Sequence, residues 1–390
     1  MNVRTLPARL ACLLLFGQIA FYCFVHLRSR STRRKYPKHI QFPGMFQAVS
    51  NHRLIQGSRL HRSDEDSLLV HHSVQPSTLN KTAQIKDGGT IQEKPKKSYL
   101  ERHADEHNYA YLHNPANICM TAGNTKEKVF VIFVVVTAPK NSWRRRVVRE
   151  TYGSPSAWPL HARGSYKRIF LLGSTSNATI QRFINKEAEK YGDIVQESFV
   201  DVYENLTLKT TMALKWVTNF CRHAQLMMKI DDDSMISQTR LLSILDKSSP
   251  TNWTAGKVMV QSPVFRNPDA KFFLSEDFYP LPTYPPYLNG PGYILSTDLV
   301  EASYQTALTT PIFPWEDVFV GFCLAKLNVK MDNTTYHRFL WIPSFDSVDE
   351  RRKYLVVVRR MRSYVVVTNL DYRFMRIMWA VGKLKSPGTK

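Results

Sequence analysis

Residues 225–233 of this 390-residue chain read QLMMKIDDD, an apolar run that ends directly in three aspartates. About a hundred residues earlier, residues 129–139 read VFVIFVVVTAP, which is rich in β-branched residues and has no polar residue before Thr137. Strands that are apolar at nearly every position are typical of parallel sheets, in which both faces are buried. The two runs therefore predict an α/β fold with acidic side chains at the end of one buried strand.

The segments around these two runs alternate between strand and helix patterns. A third strand is predicted at 167–173 (KRIFLLG) and a fourth at 292–296 (GYILS). Helices are predicted at 141–151, opened by Asn141 or Ser142, and then from about Thr179 to Lys190, Leu206 to Cys221 and Asp317 to Leu327. Such alternation indicates a mostly parallel sheet, and ligands of these sheets bind beyond the carboxyl ends of the strands.

The composition excludes a disordered or collagen-like chain, because 43% of the residues are hydrophobic and 12% are aromatic. The formal net charge of +21 lies mainly at the two ends. Residues 1–60 contain ten Arg and Lys residues and no acid, and residues 351–390 contain eleven against one acid. An enzyme of nucleic acids would carry its basic residues around the catalytic centre, so no nucleic-acid partner is predicted.

The first long apolar run, Leu10 to Leu27, is long enough to cross a thin bilayer. No small-residue cleavage site follows it, which favours an uncleaved signal anchor over a removable signal peptide or a buried helix. The predicted organisation is a cytoplasmic tail (1–9), a transmembrane anchor (10–27), a flexible stem (28–115), a catalytic domain (116–345) and a basic C-terminal segment packed on it (346–390).

The orientation of the anchor depends on two conflicting signals. Basic residues are more numerous after the anchor than before it, which would place the remainder of the chain in the cytosol. Five sequons of the type Asn-x-Ser/Thr favour the lumen instead, and we give them more weight. They begin at Asn80, Asn177, Asn205, Asn252 and Asn333. Downstream of the anchor, Cys119, Cys221 and Cys323 permit one disulfide and one free thiol.

The acidic triplet Asp231-Asp232-Asp233 is the sharpest candidate site. Adjacent side chains at a strand end point in opposite directions, so Asp231 and Asp233 are predicted to share one side and Asp232 to face the other. Two carboxylates on one side suit Mg²⁺ or Mn²⁺, with a substrate diphosphate completing the shell. The alternative is a solvated acidic turn that caps the next helix.

A second acidic pair, Glu316-Asp317, opens the last predicted helix. Its ordinary interpretation is a helix cap, since carboxylates in a first turn are favoured by the helix dipole. The functional interpretation is a general base presented from the helix start. Between the two acidic sites lies YPLPTYPPYLNGPGYILS (residues 279–296), in which Pro stiffens the chain and Gly290 and Gly292 permit sharp turns. This segment suits a wall that stacks on sugars, or is an ordinary structured loop.

Seven blocks, in order, make residues 115–345 similar to the β-1,3-glycosyltransferases of glycosyltransferase family 31. The family pattern R-x-x-I-R-x-T-W-G corresponds to residues 145–153, with Tyr152 in place of Trp. The other blocks are FLLG (170–173); Glu187, Asp193-Ile194 and Asp201-x-Tyr203; Asn205 to Thr210 with Lys215-Trp216; KIDDD (229–233); YPPYLNGPGYILS (284–296); and EDVFVG (316–321). The three downstream cysteines also fall where members of this family often carry cysteines.

The resemblance implies a GT-A fold, Mn²⁺ (with Mg²⁺ possible), a luminal Golgi domain on a type II anchor, and transfer with inversion from a UDP-sugar to a glycan acceptor on a glycoprotein or glycolipid. UDP-galactose is the first candidate donor and UDP-N-acetylglucosamine the second. Asp317 is then the catalytic base, and Asp231 and Asp233 are the metal ligands. Arg145, Arg149, Asp231, Asp232 and Glu316 are predicted to bind the nucleotide sugar, although Arg145 and Arg149 equally suit ion pairs with Glu187. Asn205 is also expected to cap its helix.

Many family members carry a C-terminal His that binds the metal, within an apolar strand and about a dozen residues before a Trp. Counting back from Trp379 places Thr368 at that position, so a loose metal site is predicted, with His337 as the nearest substitute ligand. Two other functions compete with transfer. An inactive lectin-like or chaperone relative would have lost one of the acidic sites, and both are retained. A metal-dependent phosphohydrolase would have no use for the Tyr- and Pro-rich wall.

Overall fold

The computed structural model describes residues 98–99, 102–159, 161–331, 339–341 and 363–383. Seven strands form the main sheet: β1 (Tyr111–His113), β2 (Val129–Val136), β3 (Ser165–Ser174), β4 (Ile194–Val200), β5 (Leu226–Asp231), β7 (Thr254–Met259) and β8 (Tyr287–Ser296). A smaller sheet contains β6 (Met235–Ile236), β9 (Phe339–Trp341) and β10 (Val366–Thr368). The helices are α1 (Ser142–Glu150), α2 (Ala178–Tyr191), α3 (Leu206–Phe220), α4 (Gln238–Leu245), α5 (Thr297–Ala307), α6 (Glu316–Lys326) and α7 (Tyr372–Lys383).

The strand order of the main sheet is β1-β4-β3-β2-β5-β8-β7. The four central strands β4, β3, β2 and β5 are parallel, which confirms the predicted mostly parallel sheet. At the flanks, β1 pairs antiparallel with β4, and β8 pairs antiparallel with both β5 and β7. The sheet is therefore mixed, and its antiparallel edges were not predicted.

Both faces of the central strands are covered, which explains why β2 shows no polar alternation. Val131, Phe133 and Val135 belong to one buried cluster, together with residues of α1 and α7. Ile132 and Val134 belong to the cluster on the opposite face, against α3. Leu208, Met212 and Trp216 of α3 lie in that second cluster, so they form a core-facing surface.

The folded domain begins earlier than the predicted boundary at residue 116. Tyr99 is buried against Phe313, with 5.0 Å between the ring centroids. His107 is also buried, and its Nε2 lies 2.7 Å from the Glu197 carboxylate. These contacts and β1, which extends the main sheet, show that residues 102–115 belong to the domain and not to a flexible stem.

A disulfide joins Cys119 to Cys221, and Cys323 is a buried free thiol. The bridge links the segment before β2 to the end of α3, across 102 residues of sequence. It resolves the pairing that the three cysteines left open.

The C-terminal segment returns to the domain through β10 and α7. β10 pairs with β6, and Met375 and Met378 of α7 are buried in the core. Residues 363–383 of the C-terminal segment thus contact the domain through β10 and α7. Within the described residues, no helix is both long and apolar enough to span a bilayer. The predicted anchor (Leu10 to Leu27) and most of the predicted stem lie outside the described residues.

Candidate active site

The acidic triplet lies at the end of β5, next to the end of β2, the central strand of the main sheet. Asp231 is the last residue of β5 and lies in register with Val136, the last residue of β2. Because β2 and β5 are parallel, both strands end at the same edge. The three aspartates thus occupy the position where ligands of parallel sheets bind.

Asp232 faces the connection between β2 and α1. Its Oδ2 accepts hydrogen bonds from Thr137 Oγ1 at 2.6 Å and Asn141 Nδ2 at 2.9 Å. Arg144 Nη1 lies 3.5 Å from Oδ1. Burial raises the pKa of Asp232 above its usual value, and the bonds from Thr137 and Asn141 oppose that rise.

Asp233 faces the C-terminal segment. Thr368 Oγ1, on β10, donates a hydrogen bond of 3.0 Å to Asp233 Oδ1, and the backbone N–H of Leu370 donates to the Asp233 carbonyl at 2.9 Å. Burial, followed by the charges of Asp231 and Asp232, raises the pKa of Asp233 to about 6. The count back from Trp379 therefore led to a residue that contacts a predicted metal ligand. His337 lies outside the described residues.

Asp231 is held by a buried lysine that the sequence analysis had not selected. Lys229 Nζ lies 2.7 Å from Asp231 Oδ1 and 3.4 Å from Glu316 Oε2, and it also donates to the Gly290 carbonyl. Burial alone would lower the pKa of Lys229, but the charges of Asp231 and Glu316 and the hydrogen bond to Asp231 raise it. The sequence could have indicated this contact. Lys229 is a charged residue in a buried strand, and it lies two residues before Asp231, so both side chains point to the same side of the strand.

Asp317 lies at the start of α6, facing the first residues of β8. The backbone N–H of Gly290 donates to its Oδ2 at 3.0 Å, and the N–H of Val318 donates to its Oδ1 at 2.9 Å. Burial, followed by the charge of Glu316, raises the pKa of Asp317 to about 7, against the opposing effect of these bonds and of Lys229. The carboxylate thus caps the helix and also has the pKa of a base that works near neutral pH.

Glu316 does not face the open part of the site. Tyr293 Oη donates to its Oε1 at 2.8 Å, and only 8% of the residue is exposed. With Lys229 beside its other oxygen, Glu316 anchors α6 to the sheet. The contacts of Glu316 are therefore structural ones, and its role in binding the nucleotide sugar stays a prediction.

Sharp turns were expected at Gly290 and Gly292. Both residues instead lie inside β8. A Cβ atom on Gly290 would lie 3.3 Å from Asp317 Oδ2 and 3.4 Å from Glu316 Oε2. A Cβ on Gly292 would lie 3.3 Å from Val366 of β10. Both glycines thus allow close packing: one brings β8 against the acids of α6, and the other brings it against the strand that carries Thr368.

Arg145 and Arg149 belong to an internal ion-pair network. Arg145 is fully buried and binds Glu187 through Nε at 2.9 Å and Nη2 at 2.7 Å. Arg149 bridges Glu187 at 2.6 Å and Asp193 at 2.7 Å. These donors join α1, α2 and the start of β4, so the ion pairs of the alternative are present for both side chains, and their contact with the nucleotide sugar stays a prediction. The basic side chain of α1 that lies beside the acidic triplet is Arg144.

The described residues contain no group of three or more His, Cys, Asp and Glu side chains arranged to hold a metal. Asp231 and Asp233 leave the same strand end, but different partners hold their carboxylates. The site offers a cation three adjacent carboxylates, of which Asp232 is buried and Asp231 and Asp233 are half-buried. Such an arrangement is costly without a compensating cation.

Comparison with known proteins agrees with this arrangement. The sequence pattern of a family described as galactosyltransferase matches residues 143–335, which include both acidic sites. The mouse protein beta-1,3-galactosyltransferase 1 is 34% identical over 232 residues, covering 58% of this chain and 68% of the relative. The chain belongs to the galactosyltransferase family. This confirms the family and the kind of enzyme that the sequence blocks indicated.

Human beta-1,3-galactosyltransferase 5 is 36% identical over 205 residues, which cover 52% of this chain and 65% of that relative. The solved structure of galactosyltransferase LgtC, in complex with donor and acceptor sugar analogs, covers 65% of this chain and 96% of its own. It is 11% identical with a TM-score of 0.35, a likeness too low to carry an argument.

Proposed function

We propose that this family member transfers galactose from UDP-galactose to a hydroxyl of a glycan, forms a β-1,3 linkage with inversion, and has a GT-A catalytic domain. The observation that carries the proposal is Asp317. Its carboxylate has a pKa near 7 and is joined through Gly290 and Lys229 to the acidic triplet. A base and a site for a diphosphate leaving group, on neighbouring elements, are what a single displacement requires.

The residues at the strand ends suit a bound cation, since Asp233 is a half-buried carboxylate next to the charges of Asp231 and Asp232. Asp231 and Asp233 would hold Mn²⁺, or Mg²⁺ in its place, and the ion would supply positive charge next to the diphosphate. Asp232 orients the β2–α1 connection through Thr137 and Asn141, which places Arg144 beside the site. Arg144 is then the side chain best placed to contact the donor's phosphates.

In the proposed reaction, the acceptor hydroxyl attacks the anomeric carbon of galactose. A carbon–oxygen bond forms to the acceptor, and the bond from that carbon to UDP breaks. Asp317 takes the proton of the hydroxyl, and UDP leaves with the bonding electrons. One displacement inverts the anomeric centre, so no covalent intermediate with the enzyme is formed.

A donor panel tests the proposal. The full-length protein, solubilised from expressing cells in mild detergent, is incubated with Mn²⁺, a mixed set of glycan acceptors and each UDP-sugar in turn. Acceptor-dependent release of UDP with UDP-galactose is the expected result. Transfer from UDP-N-acetylglucosamine alone would select the second donor, and release of UDP without an acceptor would indicate a hydrolase.

Thr368 provides a test of the metal site. Its hydroxyl already lies 3.0 Å from Asp233 Oδ1, and imidazole is a better ligand for Mn²⁺ than a hydroxyl group. We expect Thr368→His to tighten Mn²⁺ binding in the presence of UDP by about tenfold, measured by calorimetry. Thr368→Val, which removes the hydroxyl and adds no ligand, is the control. Equal Mn²⁺ affinity in wild type and Thr368→His would show that residue 368 does not face the metal.

We also propose a Golgi membrane location with the catalytic domain in the lumen. The Cys119–Cys221 disulfide supports it, because disulfides persist in oxidising compartments. So do the exposed sequon residues Asn177 and Asn252. Asn205 is less accessible, since its Nδ2 donates to the Val200 carbonyl and its side chain makes no capping bond. Asn80 and Asn333 lie outside the described residues.

We therefore expect an N-glycosidase to increase the gel mobility of the protein made in cells, and Asn177→Gln and Asn252→Gln each to remove one step of that shift. Asn177→Gln also removes a helix cap, because Asn177 Oδ1 accepts from Thr179 N and Ile180 N. Thr179→Ala, which destroys the sequon and keeps the cap, is the matched control. Unchanged mobility, together with digestion of the domain by protease added to intact microsomes, would refute luminal placement.

A further inference from the structure

We propose that an exposed shelf formed by Tyr203, Phe265, Lys271 and Phe272 binds the acceptor, and that Lys271 selects acceptors that carry a carboxylate or sulfate group. This inference rests on the proposed function and names the substrate class for it. The four residues come from two segments, the turn before α3 and the loop between β7 and β8. They are called the acceptor shelf below.

The shelf consists of large apolar rings that face solvent. Tyr203 is 47% exposed, Phe265 45% and Phe272 39%. Single exposed hydrophobic residues are common, but a group of rings on one surface marks a binding site. Phe272 lies 6.4 Å from Phe265 between ring centroids, so the two rings are neighbours.

The loop that presents two of these rings is firmly held. Arg266 binds three of its backbone carbonyls, those of Leu274, Tyr279 and Leu281. Tyr279 is buried, and its ring packs edge-on against Phe313 with 5.6 Å between centroids. The exposed rings are therefore displayed by a supported backbone, as a preorganised binding surface requires.

The shelf adjoins the proposed base. The Phe272 ring packs edge-on against Trp315, at 5.3 Å, and Trp315 is two residues before Asp317. On the other side, the charge of Asp317 and then that of Asp231 act on the Tyr203 hydroxyl and, after burial, help to raise its pKa to about 12. When the hydroxyl of the terminal sugar reaches Asp317, the following sugar units of the acceptor can thus lie against these rings. The apolar faces of sugars stack on such rings.

Lys271 gives the shelf its charge. Its Nζ lies 5.0 Å from the centre of the Tyr203 ring and 5.2 Å from that of Phe272. These cation–π contacts hold the ammonium group between the two rings. Across the part of the chain that the structure describes, no carboxylate forms an ion pair with Lys271. A positive charge held in place without an acidic partner suits an anionic group on the ligand, and an acidic glycan supplies both that group and the stacking surface.

The test compares three matched acceptors with the full-length protein: a neutral oligosaccharide, the same with a uronic acid, and the same with a sulfate group. Acceptor KM and kcat are measured for wild type, Lys271→Met, Lys271→Arg and Phe272→Ala. Lys186→Met, at an exposed lysine on α2, is the control for a change of net charge. Direct binding of the same glycans, immobilised on a surface, is measured without donor.

We expect wild type to favour one or both acidic acceptors, and the acid that it favours distinguishes carboxylate from sulfate recognition. Lys271→Met should raise the KM for that acceptor by about fivefold relative to its effect on the KM for the neutral acceptor, which is the size of an exposed ion pair. Lys271→Arg should retain the preference. Phe272→Ala should raise KM for all acceptors by about three- to tenfold, because stacking is lost in each case.

The inference would be overturned if wild type used the three acceptors equally. It would also be overturned if Lys186→Met raised the KM for the acidic acceptor as much as Lys271→Met does. The two proposals fail separately. If no UDP-sugar is consumed, the proposed function fails, and the immobilised glycans still report on the shelf. If the acidic glycans on the surface retain the wild-type protein and not Lys271→Met, the shelf is upheld as a binding site. If they retain both proteins equally, the shelf is refuted.

Discussion

Asp317→Asn is expected to lower the rate of sugar transfer by about 10² to 10⁴, the usual contribution of a general base. The amide retains the size of the side chain, but its single oxygen can accept only one of the two hydrogen bonds that Gly290 and Val318 donate to the two carboxylate oxygens of Asp317. It cannot take the acceptor proton. Affinity for UDP with Mn²⁺ should be nearly unchanged, because the bonds of Asp317 are to the backbone and not to the triplet.

The contrasting variant is Asp233→Ala, which should weaken binding of both the metal and UDP. Calorimetry with UDP and Mn²⁺ separates the two roles, and a similar loss of affinity in both variants would show that the acids act as one site. Thermal unfolding is the control for folding. Asp317→Asn removes a charge that burial disfavours but leaves one backbone N–H without its acceptor, so we expect its stability at pH 7.5 to change by no more than about 1–2 kcal/mol.

The pH profile gives an independent measurement of the same base. Because the pKa of Asp317 is raised to about 7, a large part of the carboxyl is protonated below that pH and cannot act as a base. We expect kcat/KM to fall as the pH is lowered through about 7, and to reach a plateau above about pH 8. A plateau that extends down to pH 5 would mean that a group with an ordinary carboxyl pKa limits the reaction.

Both acidic sites could be predicted from the sequence because each follows a strong local pattern. The triplet ends an unbroken apolar strand, and Glu316-Asp317 opens an apolar helix. The strands β2, β3 and β5 and the helices α2 and α3 were predicted within a few residues for the same reason. The directions of the three aspartate side chains were also predictable, because side chains alternate along a strand and Asp232 therefore points away from its neighbours.

Contacts between distant segments were not predictable in this way. The spacing of Arg145 and Arg149 shows only that they share a helix face, and whether that face meets Glu187 or a phosphate depends on how α1 packs against α2. β1 and β10 are three residues long, too short to give a pattern, yet they bring residues 102–115 and 363–383 into the domain. Thr368, which contacts Asp233, was singled out only through the resemblance to the family.

Lys229→Met is expected to destabilise the domain by about 3–5 kcal/mol, because it leaves buried carboxylates without their cation. Lys229 joins Asp231 on β5, the Gly290 carbonyl on β8 and Glu316 on α6, so a single side chain connects the proposed metal ligands to the helix that carries Asp317. Its folded-state pKa lies above the unfolded value. Its contribution is therefore fully present at every pH below about 10 and is lost only at higher pH.

The double variant Lys229→Met/Glu316→Gln is the matched control. Because the amide needs no cation, the double variant should recover part of the stability that Lys229→Met loses, and a cycle that also includes Glu316→Gln alone measures the coupling between Lys229 and Glu316. It should not recover transfer, since Asp231 still lacks the partner that orients it. Denaturant unfolding of the single and double variants checks the recovery of stability. The transfer rate of the double variant, with its UDP–Mn²⁺ affinity, checks whether Asp231 is still oriented. Recovery of full affinity with Lys229 absent would show that Asp231 needs no orienting partner and that Lys229 serves the stability of the fold alone.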